Sequence, residues 1–377
     1  MIKVDLPKID EAPKDWPEIF NYREDIKALE GALAQFRGKR HLILIGNGGS
    51  ITSYDAYLGA LGYSLNSHTL CTMEPDEILR VKGLCPADET VVVAVSKSGQ
   101  TLGLLETLLA FLSYEVICVT EEKPSPLSEL AKRQKWMVVP HPPIGGRFSG
   151  ATASAFVPAI LAGLDVTGIQ AGFLAGYQRR NEASSAAKYF FELEGKGCNE
   201  IYLPIYSTRL AGFQNLIIQL MHESVCKDGK GQTVYTALAP EAQHHTNQRF
   251  LGGKKNVVGC FMVVREPAVA EKIAVPEELK EIDYKGSKLS VLDGLGYQEA
   301  LRAEYLGTKG DADMKGTPNL TIEIDKVTAQ SVGELVAFWH LIAYYSCLLR
   351  AVNPFDQPAV EESKNITMKV ILEKGKM

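Results

Sequence analysis

The chain has 377 residues, 46% of them hydrophobic and 23% charged, with a formal net charge of −5. That length predicts two domains with cores of ordinary size. The acidic balance and the lack of a basic run argue against a nucleic-acid binder. No run of about 18 uninterrupted apolar residues is present, so no membrane span is expected. The polar, proline-containing start MIKVDLPKIDEAPKDW lacks the basic-then-apolar pattern of a secretory signal. Seven cysteines, at 71, 85, 118, 198, 226, 260 and 347, follow neither CxxC nor a metal-ligand spacing. Reduced, mostly buried thiols in a cytoplasmic protein are the expectation.

In chain order, the first ~38 residues read as a peripheral arm with one helix, about Asp25 to Phe36. Strands and helices then alternate. His41–Ile45 is an apolar run that meets GNGGS. Thr90–Val95 meets SKSGQT, Glu115–Thr120 meets EEKPSP, and Lys135–Val139 meets HPPIGG. Short β-branched runs followed by helical stretches indicate a parallel sheet covered on both faces. Leu161 to Asn181 is helical and then polar, which places a domain junction there. The pattern resumes with a strand at Glu200–Ile205 and a helix at Leu210–Cys226. A strand at Val257–Val264 and another at Thr321–Ile324 follow. A long helix at Ser331–Ala351 stops before Pro354. The span from about Pro267 to Pro318 is rich in Lys, Glu and Gly and yields no assignment. The fold class is therefore α/β, with two doubly wound parallel-sheet domains and no close internal repeat.

Two turns suit phosphate. Gly46-Asn47-Gly48-Gly49-Ser50 and Ser96-Lys97-Ser98-Gly99-Gln100-Thr101 each follow a strand. Glycines admit an anion close to backbone N–H groups, hydroxyls add donors, and Lys97 adds charge. Neither GxGxxG nor GxxxxGK[ST] is present, so a nucleotide is disfavoured. No Mg²⁺-binding Asp pattern accompanies the turns, so the phosphate is a handle rather than the reacting group.

Four further segments carry candidate chemistry. In Gly145-Gly146-Arg147-Phe148-Ser149, a guanidinium beside two glycines could stabilise an enediolate oxygen. In Gln219-Leu220-Met221-His222-Glu223-Ser224, Gln219 and Glu223 share a helix face, and apolar neighbours suit a general base. In Gln243-His244-His245, one histidine could pass a proton to a ring oxygen. In the tail Phe355 to Lys364, a late lysine could polarise a hydroxyl or carbonyl. Taken singly, each has an ordinary explanation: a loop salt bridge, a surface glutamate, a polar loop, a solvated C-terminal helix. HExxH and H-x₃-H spacings are absent, and no metal is expected.

Taken together, the six segments resemble the glucose-6-phosphate isomerase family, which is built from two sugar-isomerase (SIS), flavodoxin-like domains. GNGGS is similar to GxGGS, SKSGQT to SK[ST]xxT, GGRFS to GGR[FY]S, and QLMHES to QxxxES. QHH resembles the GQH region and FDQPAVEESK resembles FDQxGVExxK. They run in family order from residue 46 to 364. The resemblance implies an arm (1–38), SIS domains at 39–180 and 181–353, and a tail (354–377) completing the active site. It implies interconversion of glucose 6-phosphate and fructose 6-phosphate, a step of glycolysis and gluconeogenesis, through a cis-enediolate. It makes Glu223 the base, Arg147 the enediolate stabiliser, and His244 with Lys364 the ring-opening pair. Gly49, Ser50, Ser96, Lys97, Ser98 and Thr101 would hold the phosphate end, and Gln219 and Gln357 would position the sugar. No cofactor is expected, because the hydrogen moves as a proton. A cytoplasmic homodimer is implied, in which a histidine can reach the neighbouring subunit's site. The chain departs from the family pattern at Asn47, Gly103 and Ala359, where an apolar residue, Glu and Gly are usual. His245 competes with His244 for the histidine role. A dual phosphoglucose/phosphomannose isomerase is a close alternative. A non-catalytic SIS sugar-phosphate sensor is a more distant one, since it would not need Glu223, Arg147, His244 and Lys364 together.

Overall fold

The computed structural model describes residues 1–5, 17–62 and 66–374. Residues 6–16 of the expected arm and the last three of the expected tail lie outside the described residues. In chain order the strands are β1 (Ile2–Asp5), β2 (His41–Gly46), β3 (Ser67–Leu70), β4 (Thr90–Val95), β5 (Glu115–Thr120) and β6 (Met137–Pro140). Then come β7 (Glu200–Tyr206), β8 (Thr233–Leu238), β9 (Val257–Val264), β10 (Asp283–Tyr284), β11 (Ser287–Lys288) and β12 (Asn319–Ile324).

The first sheet is wholly parallel, in the order β3-β2-β4-β5-β6. Its central strand β4, TVVVAV, is buried at every position, as a strand covered on both faces must be. The chain leaves β2 to build β3 on one side and then returns to build β4 on the other. That reversal makes the ends of β2 and β4 the topological switch point, where open α/β sheets bind ligands. Gly46 is in register with Val95, so both strands end level and their two turns emerge side by side.

The second sheet has the order β1-β12-β9-β7-β8. Its pairings among β12, β9, β7 and β8 are parallel and repeat the same reversal, here between β7 and β9. β1 adds an antiparallel edge, with Ile2 opposite Ile324. Residues 2–5, expected in a peripheral arm, are thus part of this sheet. The α/β doubly wound reading holds for both sheets, with this one antiparallel strand added.

The helix Phe213–Val225 follows β7 and packs against Thr52–Leu61, which follows β2. This contact carries residues 219–224 to the first sheet's switch point. The helix Ala329–Arg350 runs through the shared core and packs on Val166–Gly176, Arg180–Gly195 and Phe213–Val225. It is long and apolar enough to cross a membrane, but 89% of its apolar window is buried inside the protein.

Several sequence boundaries shift. Lys135 is a left-handed helix cap (φ 57°), so its strand begins at Met137. The span from Pro267 to Pro318 contains the β10–β11 hairpin and the helix Tyr297–Met314. The tail re-enters as the helix Glu361–Lys374, none of whose residues is buried.

Candidate active site

The turn after β2 and the turn carrying Arg147 meet backbone to backbone. A Cβ on Gly49 would lie 2.2 Å from the Arg147 amide nitrogen, so only glycine allows this approach. Arg147 ends up 6% exposed. Its Nε donates to Ser224 Oγ (2.9 Å) and its Nη1 to Glu223 Oε2 (3.0 Å) and Gln357 Oε1 (2.8 Å). Its Nη2 donates to the carbonyls of Pro354 and Asp356, both at 2.8 Å. A guanidinium has five N–H donors, and here each finds an acceptor. One side chain therefore ties the helix 213–225 and the C-terminal tail to the first sheet.

Glu223 stands on the last turn of its helix with 34% of its side chain exposed. Both carboxylate oxygens are held: Oε2 by Arg147, and Oε1 by Gln219 Nε2 at 3.0 Å. Gln219 Oε1 in turn accepts from Thr52 Oγ1 at 3.0 Å. Such bonds fix the direction of the carboxylate.

The second turn is prearranged. Ser96, which is buried, pairs its Oγ with Thr101 Oγ1 at 2.8 Å and accepts from the Gly99 amide at 3.1 Å. Gly99 has φ +64° and is pressed on Ser125, so its geometry requires glycine. Ser98 Oγ accepts from the Gln100 amide at 3.2 Å. Lys97 Nζ lies 3.6 Å from Glu121, which Lys123 also pairs with. The Lys123 hydrogen bond, aided by Lys97, holds the Glu121 carboxyl below its usual range.

The tail is clamped a second time. Lys227 pairs with Asp356 at 2.7 Å and donates to the Asn353 carbonyl. Its ammonium holds the Asp356 carboxyl below the usual carboxylate range. Gln357 is thereby fixed beside Arg147.

The structure brings together Gly49, Arg147, Gln219, Glu223 and Gln357 in one cluster. His244 and Lys364 are outside that cluster. His244 is exposed at a cavity of about 520 Å³, lined also by Asn247, Thr308 and Lys315. His245 instead bonds Glu241 (2.7 Å) and Thr246. Lys364 is 61% exposed and pairs with Glu361 at 2.7 Å. Thr52, Ser224, Lys227 and the carbonyls of Pro354 and Asp356 join the site without having been singled out in the sequence. Ser224 adjoins Glu223 in its motif and could have been found there. Asp356 lies in the FDQPAVEESK segment and Lys227 opens the KDGKG stretch that follows QLMHES, while nothing local marks Thr52 or the Pro354 carbonyl.

No family model matches this chain. A probable glucose-6-phosphate isomerase from Haloarcula marismortui is 32% identical over 373 residues, spanning 92% of this chain and 81% of that one. The chain belongs to the glucose-6-phosphate isomerase family. A glucose-6-phosphate isomerase of Methanocaldococcus jannaschii is 26% identical, over 89% of this chain and 85% of that one. Among solved structures, a hypothetical protein from Thermus thermophilus superposes with a TM-score of 0.84. It is 26% identical, over 94% of this chain and 89% of that one. A glucose-6-phosphate isomerase from Chlamydia trachomatis shares the fold with a TM-score of 0.75 and 19% identity. The match spans 93% of this chain and 74% of that one.

Proposed function

We propose that this chain interconverts glucose 6-phosphate and fructose 6-phosphate by proton transfer through a cis-enediolate. The observation that carries the proposal is a partly exposed carboxylate at 223, with one oxygen on Arg147 and the other on Gln219. The phosphate lies against the hydroxyl-rich turn at Ser96, Ser98 and Thr101, close to Gly49 and Ser50, with Lys97 supplying positive charge. This anchor is distant from the reacting carbons, so its binding energy serves to fix geometry. Glu223 takes the C2 proton of the open-chain aldose as C2–H breaks and the electron pair moves onto the C1 carbonyl oxygen. The proton on O2 passes to O1, and the same group then delivers a proton to C1 as the C1=C2 electron pair takes it up and C2=O forms, which gives the ketose.

Arg147 stabilises the negative oxygen of the intermediate, which a buried donor does more strongly than one in water. Gln357, held by Arg147, positions the sugar hydroxyls. His244 and Lys364 open the ring. Both stand apart from the Glu223 cluster in the single chain, which fits a site completed by association of two copies. We therefore also propose a homodimer working in the cytoplasm.

The test is isomerisation in ²H₂O with the sugar followed by NMR. Deuterium entering C2 of glucose 6-phosphate and C1 of fructose 6-phosphate is the expected result. Turnover without any solvent exchange, or no turnover at all, counts against the proposal.

A further inference from the structure

Thr52 opens the helix that follows the first turn, yet its hydroxyl does not cap that helix. It is buried and donates instead to Gln219 Oε1, 167 positions away in the chain, at 3.0 Å. Gln219 Nε2 then donates to Glu223 Oε1 at 3.0 Å. The chemistry at each end determines the amide's orientation. An ionised carboxylate can only accept, so the NH₂ end must face Glu223. The carbonyl end must then face a donor, and Thr52 is the donor there. Gly48 provides the space: Gln219 Nε2 lies 2.8 Å from where a side chain at 48 would begin.

We infer that Thr52 is a positioning residue that locks the Gln219 amide so that it donates to the base. This inference rests on the isomerase reading of Glu223. Without the hydroxyl, the amide is free to turn over and present its oxygen to the carboxylate. Two acceptors then face each other, and a proton placed between them is favoured. The other groups around Glu223 would not compensate. Arg147 is committed to five acceptors, and Gln357 is taken up by Arg147. His222, next on the helix, accepts from the Val234 amide through Nε2. Lys227 is occupied by Asp356 and Asn353.

The decisive experiment is a double-mutant cycle of Thr52→Val and Gln219→Met, with Thr52→Ser as the conservative variant. Thr52→Val is expected to lower kcat about tenfold, the scale of one hydrogen bond. KM should stay within about twofold, because the bond is not to substrate. The acid limb of the kcat/KM profile should move to higher pH. Thr52→Ser should restore most of the loss, and Thr52→Val should cost nothing further in the Gln219→Met background. Additive effects of the two substitutions would overturn the inference. So would a Thr52→Val enzyme with kcat within twofold of wild type and an unmoved pH profile. The same cycle read by thermal unfolding reports the Thr52–Gln219 bond without turnover, so additive unfolding effects would overturn the lock on their own. An inactive wild-type protein would count instead against the isomerase reading.

Discussion

Arg147 Nη1 donates to Glu223 Oε2 at 3.0 Å across 76 positions of sequence, joining the first sheet's glycine turn to the helix that follows the second sheet's β7. The contact is both structural and chemical. It aims the carboxylate and, in the proposed mechanism, places a permanent positive charge beside the enediolate.

Replacing the carboxylate by its amide keeps the shape and removes the proposed base. Glu223→Gln is expected to lower kcat by about 10²- to 10⁴-fold, the usual worth of positioned proton transfer. Sugar-phosphate affinity should change little, since the phosphate turn is untouched. Steady-state kinetics together with calorimetric binding of fructose 6-phosphate check this. Unchanged turnover would remove Glu223 from the mechanism.

Arg147→Lys is not a conservative change here. Lysine offers three donors where the site presents five acceptors, two of them main-chain carbonyls of the tail. Each buried acceptor left bare costs about 1–3 kcal/mol. We expect denaturant unfolding to show a loss of about 2 kcal/mol or more, and kcat to fall on the order of 10²-fold. A variant as stable as wild type would mean that the clamp on Pro354 and Asp356 is not needed.

Adjacent glycine turns should respond differently. A Cβ at Gly49 meets the Arg147 backbone at 2.2 Å, and no side-chain rotation relieves that clash, whereas a Cβ at Gly145 meets nothing within 4 Å. Gly49→Ala should therefore disrupt the contact between the two turns and abolish activity. Gly145→Ala should leave the unfolding midpoint close to wild type. Equal midpoints for the two variants would contradict the close approach.

His340 makes the stability depend on pH. It is fully buried against the rings of Phe148 and Phe173, with Tyr177 Oη at 3.0 Å from Nδ1. Burial pushes its pKa down to about 3, with the Arg147 main chain acting weakly in the opposite direction. The unfolded imidazole, near 6.5, binds a proton that the native one refuses. Stability therefore falls as pH drops from about 6.5 towards 3, by roughly 1.4 kcal/mol per unit at the steepest. In urea unfolding from pH 7 to 5, His340→Leu should flatten the slope by an amount approaching that figure. Identical slopes in wild type and variant would show that another group carries the effect.

The sequence alone determined the class of fold and the chemistry available to it. β2, β4, β5 and β9 were legible because parallel strands covered on both faces are continuous apolar runs. The six motifs were legible because a phosphate turn or a base needs particular residue types at short spacing. β3 and β8 were not read: they lie next to the reversals at sheet edges, and their half-buried, threonine-containing SHTL and TVYTAL carry little periodicity. β1 was missed because its partner is more than 300 residues away, and no local pattern records a pairing at that distance.

What only the tertiary structure decided is which polar groups meet. Arg147 finds Gln357 across 210 positions and Thr52 finds Gln219 across 167. It also decided that His244 and Lys364 stand outside the bonded cluster of the single chain. Residue periodicity reports whether a position is buried. The partner of a buried hydrogen bond is set by where two helices and two turns converge, through close contacts such as the one at Gly49.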